Sequence, residues 1–205
     1  LATHVPALHN FSYLLAQAVP PVSFAVGQTN RELTVEDLNT ALRLSPRSAE
    51  AQRVQGEILF NFGMNKEARE VFLQIYEQQH GELQASRDWR VPFKLGLIDW
   101  VLGDPQSASA FLTTALRWAP PDTTGIRLPL SQVLNDAGMH QEALVHATQV
   151  IDTHPGFYAA YHARSVIYLE TGDTEASIKD LHTAIALAPA KPELYVQRAA
   201  LYGLS

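Results

Sequence analysis

Glycine recurs through this 205-residue chain at a nearly constant interval. Gly63, Gly103, Gly138 and Gly172 are separated by 40, 35 and 34 residues, and each follows a run of periodic apolar residues. Pro120, Pro155 and Pro189 are separated by 35 and 34 residues, and Pro46 precedes Pro120 by 74 residues, about two such intervals. A period of this length indicates units that stack on their neighbours because none can bury its apolar face alone. The sequence therefore predicts an array of similar units.

Residues 158–191 show what one unit contains. Tyr161, Arg164, Ser165 and Tyr168 recur at spacings of three and four, which predicts a first helix. Gly172 can end that helix in a left-handed conformation, and Thr174 is predicted to cap a second helix. The apolar positions of the second helix are Ile178, Leu181, Ala184, Ile185 and Leu187. Pro189 cannot continue it, so each unit reads as a helical hairpin.

These units resemble the tetratricopeptide repeat, a 34-residue helical hairpin with small and aromatic residues at set places. The residues that match in the unit 49–88 are Gly56, Leu59, Gly63, Ala68 and Phe72. Those in 89–123 are Leu95, Gly96, Gly103, Ala108, Leu112, Ala115 and Pro120. Those in 124–157 are Leu130, Leu134, Gly138, Ala143 and Pro155, and those in 158–191 are Tyr161, Tyr168, Gly172, Ala184 and Pro189. The resemblance implies an all-α fold, a right-handed superhelix of stacked hairpins.

The predicted organisation follows from this register. Full units span 49–88, 89–123, 124–157 and 158–191, and the first of them carries an extra stretch near its end. Residues 32–48 read as the second helix of an earlier, partial unit, and residues 192–205 read as a partial unit or capping helix. Residues 1–31 carry no charge before Arg31. They are predicted to cap the first unit, or to dock on a partner or a second copy, or to be a targeting remnant.

Composition and motifs exclude several classes of function. The chain has no cysteine and a formal net charge of -6, so a thiolate metal site is excluded and nucleic acid is not an expected partner. No apolar run approaches the roughly 20 residues of a membrane span. No phosphate-binding, dinucleotide or nucleophile motif appears, and no two of the eight histidines stand four apart. We therefore expect neither catalysis nor a cofactor, and the compartment stays open between cytoplasm and periplasm.

The resemblance implies that the first helix of each unit lines the concave face and binds peptides. By position, the lining residues would be Arg53, Glu57, Phe60, Phe93, Lys94, Leu97, Trp100, Gln132, Asn135 and His162. Amide groups can bond an extended peptide backbone, and aromatic rings can hold its side chains. The alternative is that the aromatic residues pack as core, which is equally compatible with Trp100.

Three functions fit these observations. The first is a protein- or peptide-binding module that uses the concave groove. The second is a scaffold that self-associates, through its N-terminal segment, inside a larger assembly such as a bacterial envelope or secretion system. The third is a regulatory part of a larger enzyme.

Overall fold

A computed structural model describes residues 48–80, 87–121, 123 and 125–204. In this part of the chain the regular structure consists of nine α-helices in sequence. They are α1 (Ala49–Asn61), α2 (Asn65–His80), α3 (Arg90–Val101), α4 (Pro105–Trp118), α5 (Arg127–Asp136), α6 (His140–Thr153), α7 (Tyr158–Glu170), α8 (Thr174–Leu187) and α9 (Pro192–Leu204). The predicted all-α superhelix is confirmed.

The helices pair in chain order, and each pair packs on the next. The hairpins are α1/α2, α3/α4, α5/α6 and α7/α8, and α9 packs against α8. Residues 1–47, which include the predicted N-terminal segment and most of the predicted partial unit 32–48, lie outside the described residues. So does the stretch 81–86 in the extended unit 49–88.

The tight turns inside the hairpins depend on glycine. Gly172 has a φ of +84°, in the left-handed region that other residues seldom occupy, and Gly63, Gly103 and Gly138 adopt similar values. The amide of Gly172 donates to the carbonyl of Leu169, and that of Asp173 to Tyr168, which completes the end of α7. The prediction of Thr174 as the cap of α8 is wrong. The Asp173 carboxylate caps that helix by accepting from the amide of Ala176 at 3.0 Å, and Thr174 is the first helical residue.

The core of the described residues consists of four apolar clusters, and each of them includes helices of neighbouring units. One apolar cluster links Phe93 and Leu97 of α3 to Leu130 of α5 and Ile167 of α7. Because every hairpin shares buried side chains with the next, no hairpin has a core of its own. This shared core fixes the first helices side by side and so positions the candidate site.

Candidate binding face

The first helices of successive hairpins form one continuous surface, here called the first-helix face and made by α1, α3, α5, α7 and α9. Polar contacts join its neighbouring helices. The indole Nε1 of Trp100 on α3 donates to Oδ2 of Asp136 on α5 at 2.6 Å. One hairpin further along, Nδ2 of Asn135 donates to Oε2 of Glu170 on α7 at 2.8 Å. Trp100 and Asn135 hold equivalent places in their units, so the same lateral bond occurs twice.

The second of these bonds extends into a small network. Asn135 is buried, and its Oδ1 lies 2.8 Å from Nδ1 of His140 at the start of α6. The same His140 nitrogen lies 4.0 Å from Glu170. Because both ends of the amide have partners, Asn135 is held in one orientation.

At the α1 end of the face, two cations and two carboxylates lie together. Arg53 is buried and pairs with Glu50 at 2.7 Å and with Glu57 at 3.2 Å. Lys94 of α3 approaches Glu57 with its Nζ at 3.9 Å and lies over the Phe60 ring, 5.3 Å from its centroid. Burial lowers the pKa of Lys94, and the nearby Arg53 adds to this, whereas Glu57 acts in the opposite direction. The cluster therefore joins α1 to α3 much as Trp100 joins α3 to α5.

At the other end, His162 joins α7 to α9. Its Nε2 lies 2.6 Å from Oε1 of Gln197. Burial lowers the pKa of His162, while the bond to Gln197 and the charge of Glu193 raise it in part. The imidazole is therefore favoured in its neutral form.

The ten predicted lining residues differ in exposure, since Arg53, Phe93, Leu97 and Asn135 are buried and the other six are half-buried. Phe93 is 3% exposed and Leu97 is 0% exposed, and both belong to the central core cluster. They correct the expectation of an apolar floor made of Phe60, Phe93, Leu97 and Trp100, because their side chains lie beneath the surface. The other two remain half-exposed.

Trp100 combines both roles that its sequence left open. Its ring packs against the core cluster, and its N–H bonds to Asp136 at the surface. Gln132 is half-buried on α5, the middle first helix of the five. These two residues and the other half-buried lining residues, namely Glu57, Phe60, Lys94 and His162, form the accessible part of the first-helix face.

Sequence reasoning missed the partners in these lateral contacts. Asp136, Glu170 and Gln197 each lie on the neighbouring first helix, 35 or 36 residues after the residue they contact. That offset is one repeat plus one or two residues, so a search for polar residues at this separation would have found them. Glu50, a further missed partner, stands three residues before Arg53 on the same helix.

Two negative findings apply to the described part of the chain. It contains no group of three or more histidine, aspartate or glutamate residues placed to hold a metal ion. None of its helices combines the length and the apolar character needed to cross a membrane.

Comparison with known proteins agrees with this geometry. The tetratricopeptide repeat family matches residues 25–82 and again residues 158–191. Tetratricopeptide repeat protein 13 from Homo sapiens is 29% identical over 83 residues, which are 38% of this chain and 10% of that protein. The match therefore spans about a tenth of the length of this relative.

Solved structures share the architecture. YrrB, described as a tetratricopeptide repeat protein with an unusual peptide-binding site, superposes with a TM-score of 0.69 at 24% identity, covering 80% of this chain and 81% of its own. MamA from Desulfovibrio magneticus RS-1 superposes with a TM-score of 0.65 at 20% identity, covering 75% and 82%. At these identities the likeness concerns the fold. The stacked hairpins define a helical solenoid, and the chain contains tetratricopeptide repeats, which are matched over residues 25–82 and 158–191. Repeats of this family serve in general as protein–protein interaction modules.

Proposed function

We propose that the chain acts by binding, without catalysis, and that it holds an extended segment of a partner protein on the first-helix face. The observation that carries this proposal is the row of lateral contacts between first helices. Trp100, Asn135, His162 and Lys94 are each held by a residue on a neighbouring helix. Side chains held in one position lose little conformational freedom when a partner binds, which lowers the cost of binding.

The chemistry of the face favours a peptide. Half-exposed Phe60 and Trp100 offer ring surface, and the Gln132 amide between the two polar ends offers both a donor and an acceptor. An extended backbone presents the complementary donors and acceptors at regular intervals. YrrB, which shares the fold, is described as having a peptide-binding site, and that description supports the same class of ligand here.

The test starts from peptides selected for binding to the whole chain out of a random displayed library. Their affinity is then measured for the wild type and for two variants with the same substitution, Gln132→Arg and Gln141→Arg. Gln132 lies on the first-helix face, whereas Gln141 is exposed on the second helix of the same hairpin. We expect Gln132→Arg to raise the Kd by about tenfold or more, because a bulky cation would stand in the centre of the face. Gln141→Arg should leave the Kd within about twofold.

Two results would overturn the proposal. One is a library that yields no binding peptide while circular dichroism shows the chain to be folded. The other is a selected peptide whose Kd responds equally to both substitutions, since it would then occupy another surface.

A further inference from the structure

The helix α9 repeats a row of residues from α7. Tyr195, Arg198, Ala199 and Tyr202 each stand 34 residues after an equivalent residue of α7, and we call these four residues the α9 row. The equivalents on α7 are Tyr161, Arg164, Ser165 and Tyr168.

The local geometry of the two rows is also repeated. The hydroxyl of Tyr161 donates to the carbonyl of Pro155 at 3.2 Å, and that of Tyr195 donates to Pro189 at 3.0 Å. Each arginine lies over the tyrosine three residues before it, at 5.9 Å for Arg164 and 5.5 Å for Arg198. The α9 row is therefore preformed in the conformation that α7 uses.

On α7 this row is covered by α8. Nε and Nη2 of Arg164 donate to the two carboxylate oxygens of Asp180 at 2.7 and 2.9 Å. The hydroxyl of Ser177 donates to the carbonyl of Ser165 at 2.8 Å, in a contact that is fully buried. A helix that covers such a row thus needs an aspartate and, three residues before it, a hydroxyl.

On α9 the row is more exposed than on α7, although the hydroxyl of Tyr202 lies 3.2 Å from Nε2 of His182 on α8. Tyr195 is 39% exposed, Tyr202 is 54% exposed, and Ala199 is exposed where its equivalent Ser165 is buried. Among the described residues, no helix stands against the α9 row as α8 stands against α7. The surface has the shape and charge to accept one more second helix.

The sequence of residues 31–46 supplies what this surface requires. It repeats the sequence of α8 and the residues after it, at a constant offset of 143. The identical pairs are Glu32 and Glu175, Asp37 and Asp180, Leu38 and Leu181, Thr40 and Thr183, Ala41 and Ala184, Leu44 and Leu187, and Pro46 and Pro189. Asp37 is thus equivalent to Asp180, the partner of Arg164, and Thr34 is equivalent to Ser177.

We propose that the α9 row binds residues 31–46 of a second copy of this chain, with Arg198 of one copy paired to Asp37 of the other. The segment cannot serve its own α9, because Pro46 stands three residues before Ala49, where α1 begins at the opposite end of the stack. The contact joins two different surfaces. It therefore continues from copy to copy and builds a chain or a ring of molecules. The α9 row corresponds to the side of α7 that faces α8 and includes none of the lining residues of the first-helix face, so the proposal stands or fails independently of peptide binding.

The test is a charge swap between two variants of the 205-residue chain, Arg198→Asp and Asp37→Arg. Alone, each variant brings like charges together, and we expect its self-association to weaken by about thirtyfold or more. Mixed, the two variants restore an Asp–Arg pair at one contact and keep the native pair at the other. We expect the mixture to associate as the wild type does, with a mass that grows past the dimer between about 1 μM and about 1 mM in sedimentation velocity. Arg117→Asp, a reversal at an exposed residue of α4, is the matched control and should associate like the wild type.

Each other outcome overturns the proposal. The wild type would show one mass over the whole range, or Arg198→Asp would associate as strongly as the wild type, or the mixture would stay apart while the wild type associates. Deletion of residues 1–30 tests the remaining candidate for the interface, the uncharged N-terminal segment. If that deletion abolishes association while Arg198→Asp retains it, the uncharged N-terminal segment forms the interface instead.

Discussion

The hairpins α3/α4 and α7/α8 have the same shape, yet different chemistry closes them. In α3/α4 the helices meet at Gly96, where a Cβ would stand 2.6 Å from Cγ of Leu112 and 3.0 Å from the carbonyl oxygen of Ala108. In α7/α8 the equivalent residue is Ser165, and the helices are joined by the Arg164–Asp180 pair and by Ser177. The repeat fixes where the backbones pass each other. Either a glycine against a large apolar side chain or a set of polar bonds can then fill the space.

The largest effect on stability should come from breaking the polar contacts between α7 and α8. Arg164→Met leaves the Asp180 carboxylate buried without its cation, and we expect the free energy of unfolding to fall by about 3 kcal/mol. Urea denaturation followed by circular dichroism measures this change. Arg117→Met, at an exposed residue of α4, is the control and should stay within about 0.5 kcal/mol of the wild type.

A second substitution identifies the source of that loss. If the orphaned carboxylate is the cause, Arg164→Met combined with Asp180→Leu should recover much of the stability, since an apolar pair replaces an uncompensated charge. A single variant as stable as the wild type would show that the ion pair does not close this hairpin.

A smaller effect on stability should come from disturbing the close contact between α3 and α4 at Gly96. Gly96→Ala places a methyl group against the branch carbon of Leu112 and a backbone oxygen, neither of which can swing aside. We expect a loss of about 1–2 kcal/mol from overpacking, although alanine itself favours a helix by about 1 kcal/mol. The measurement is again the free energy of unfolding in urea.

The control for this substitution is Gly203→Ala on α9, where an added Cβ would meet nothing within 4 Å. It should be neutral or slightly stabilising, because the helix preference of alanine acts there without a clash. Equal effects at the two glycines would mean that the close contact at Gly96 relaxes freely. The α3/α4 hairpin would then not depend on that glycine.

The two hairpins also show which features of the fold could be predicted from the sequence. The turn glycines predicted the hairpins, because glycine at a fixed interval after each apolar-periodic run is typical of a repeated tight turn between helices. The cap of α8 was missed by one residue, since Asp173 and Thr174 are both good capping residues and only the geometry chooses between them.

The candidate site was harder to predict than the fold. The repeat register places Leu97 and Gln132 at equivalent positions of their first helices, yet Leu97 is core and Gln132 is half-exposed. Neighbouring first helices approach closely enough to share side chains, and which side chain is covered depends on the size of its neighbours. A register counted along one chain carries no information on that size.

The smallest expected effect is a pH dependence of stability that differs between the region of α7 and the hairpin α3/α4. In the folded chain the pKa of His162 lies below its ordinary value of 6.5, first because the imidazole is buried. The unfolded chain therefore takes up a proton before the folded chain does as the pH falls. The stability that His162 contributes is complete above pH 6.5 and is lost as the pH falls below that value. The hairpin α3/α4 contains no histidine and should not share this loss.

Hydrogen exchange, corrected for the intrinsic rate at each pH, can test this regional difference. Between about pH 7.5 and about pH 5.5, protection should fall more in α7 and α9, which His162 joins to Gln197, than in α3 and α4. His162→Gln should remove most of this difference. His146→Gln is the control, because burial and Arg127 also lower the pKa of His146, which lies on α6 away from the contact with α9. If wild type and His162→Gln lose equal protection in α9, the acid sensitivity has another origin. The end of the stack that presents the α9 row would then not be weakened through this histidine.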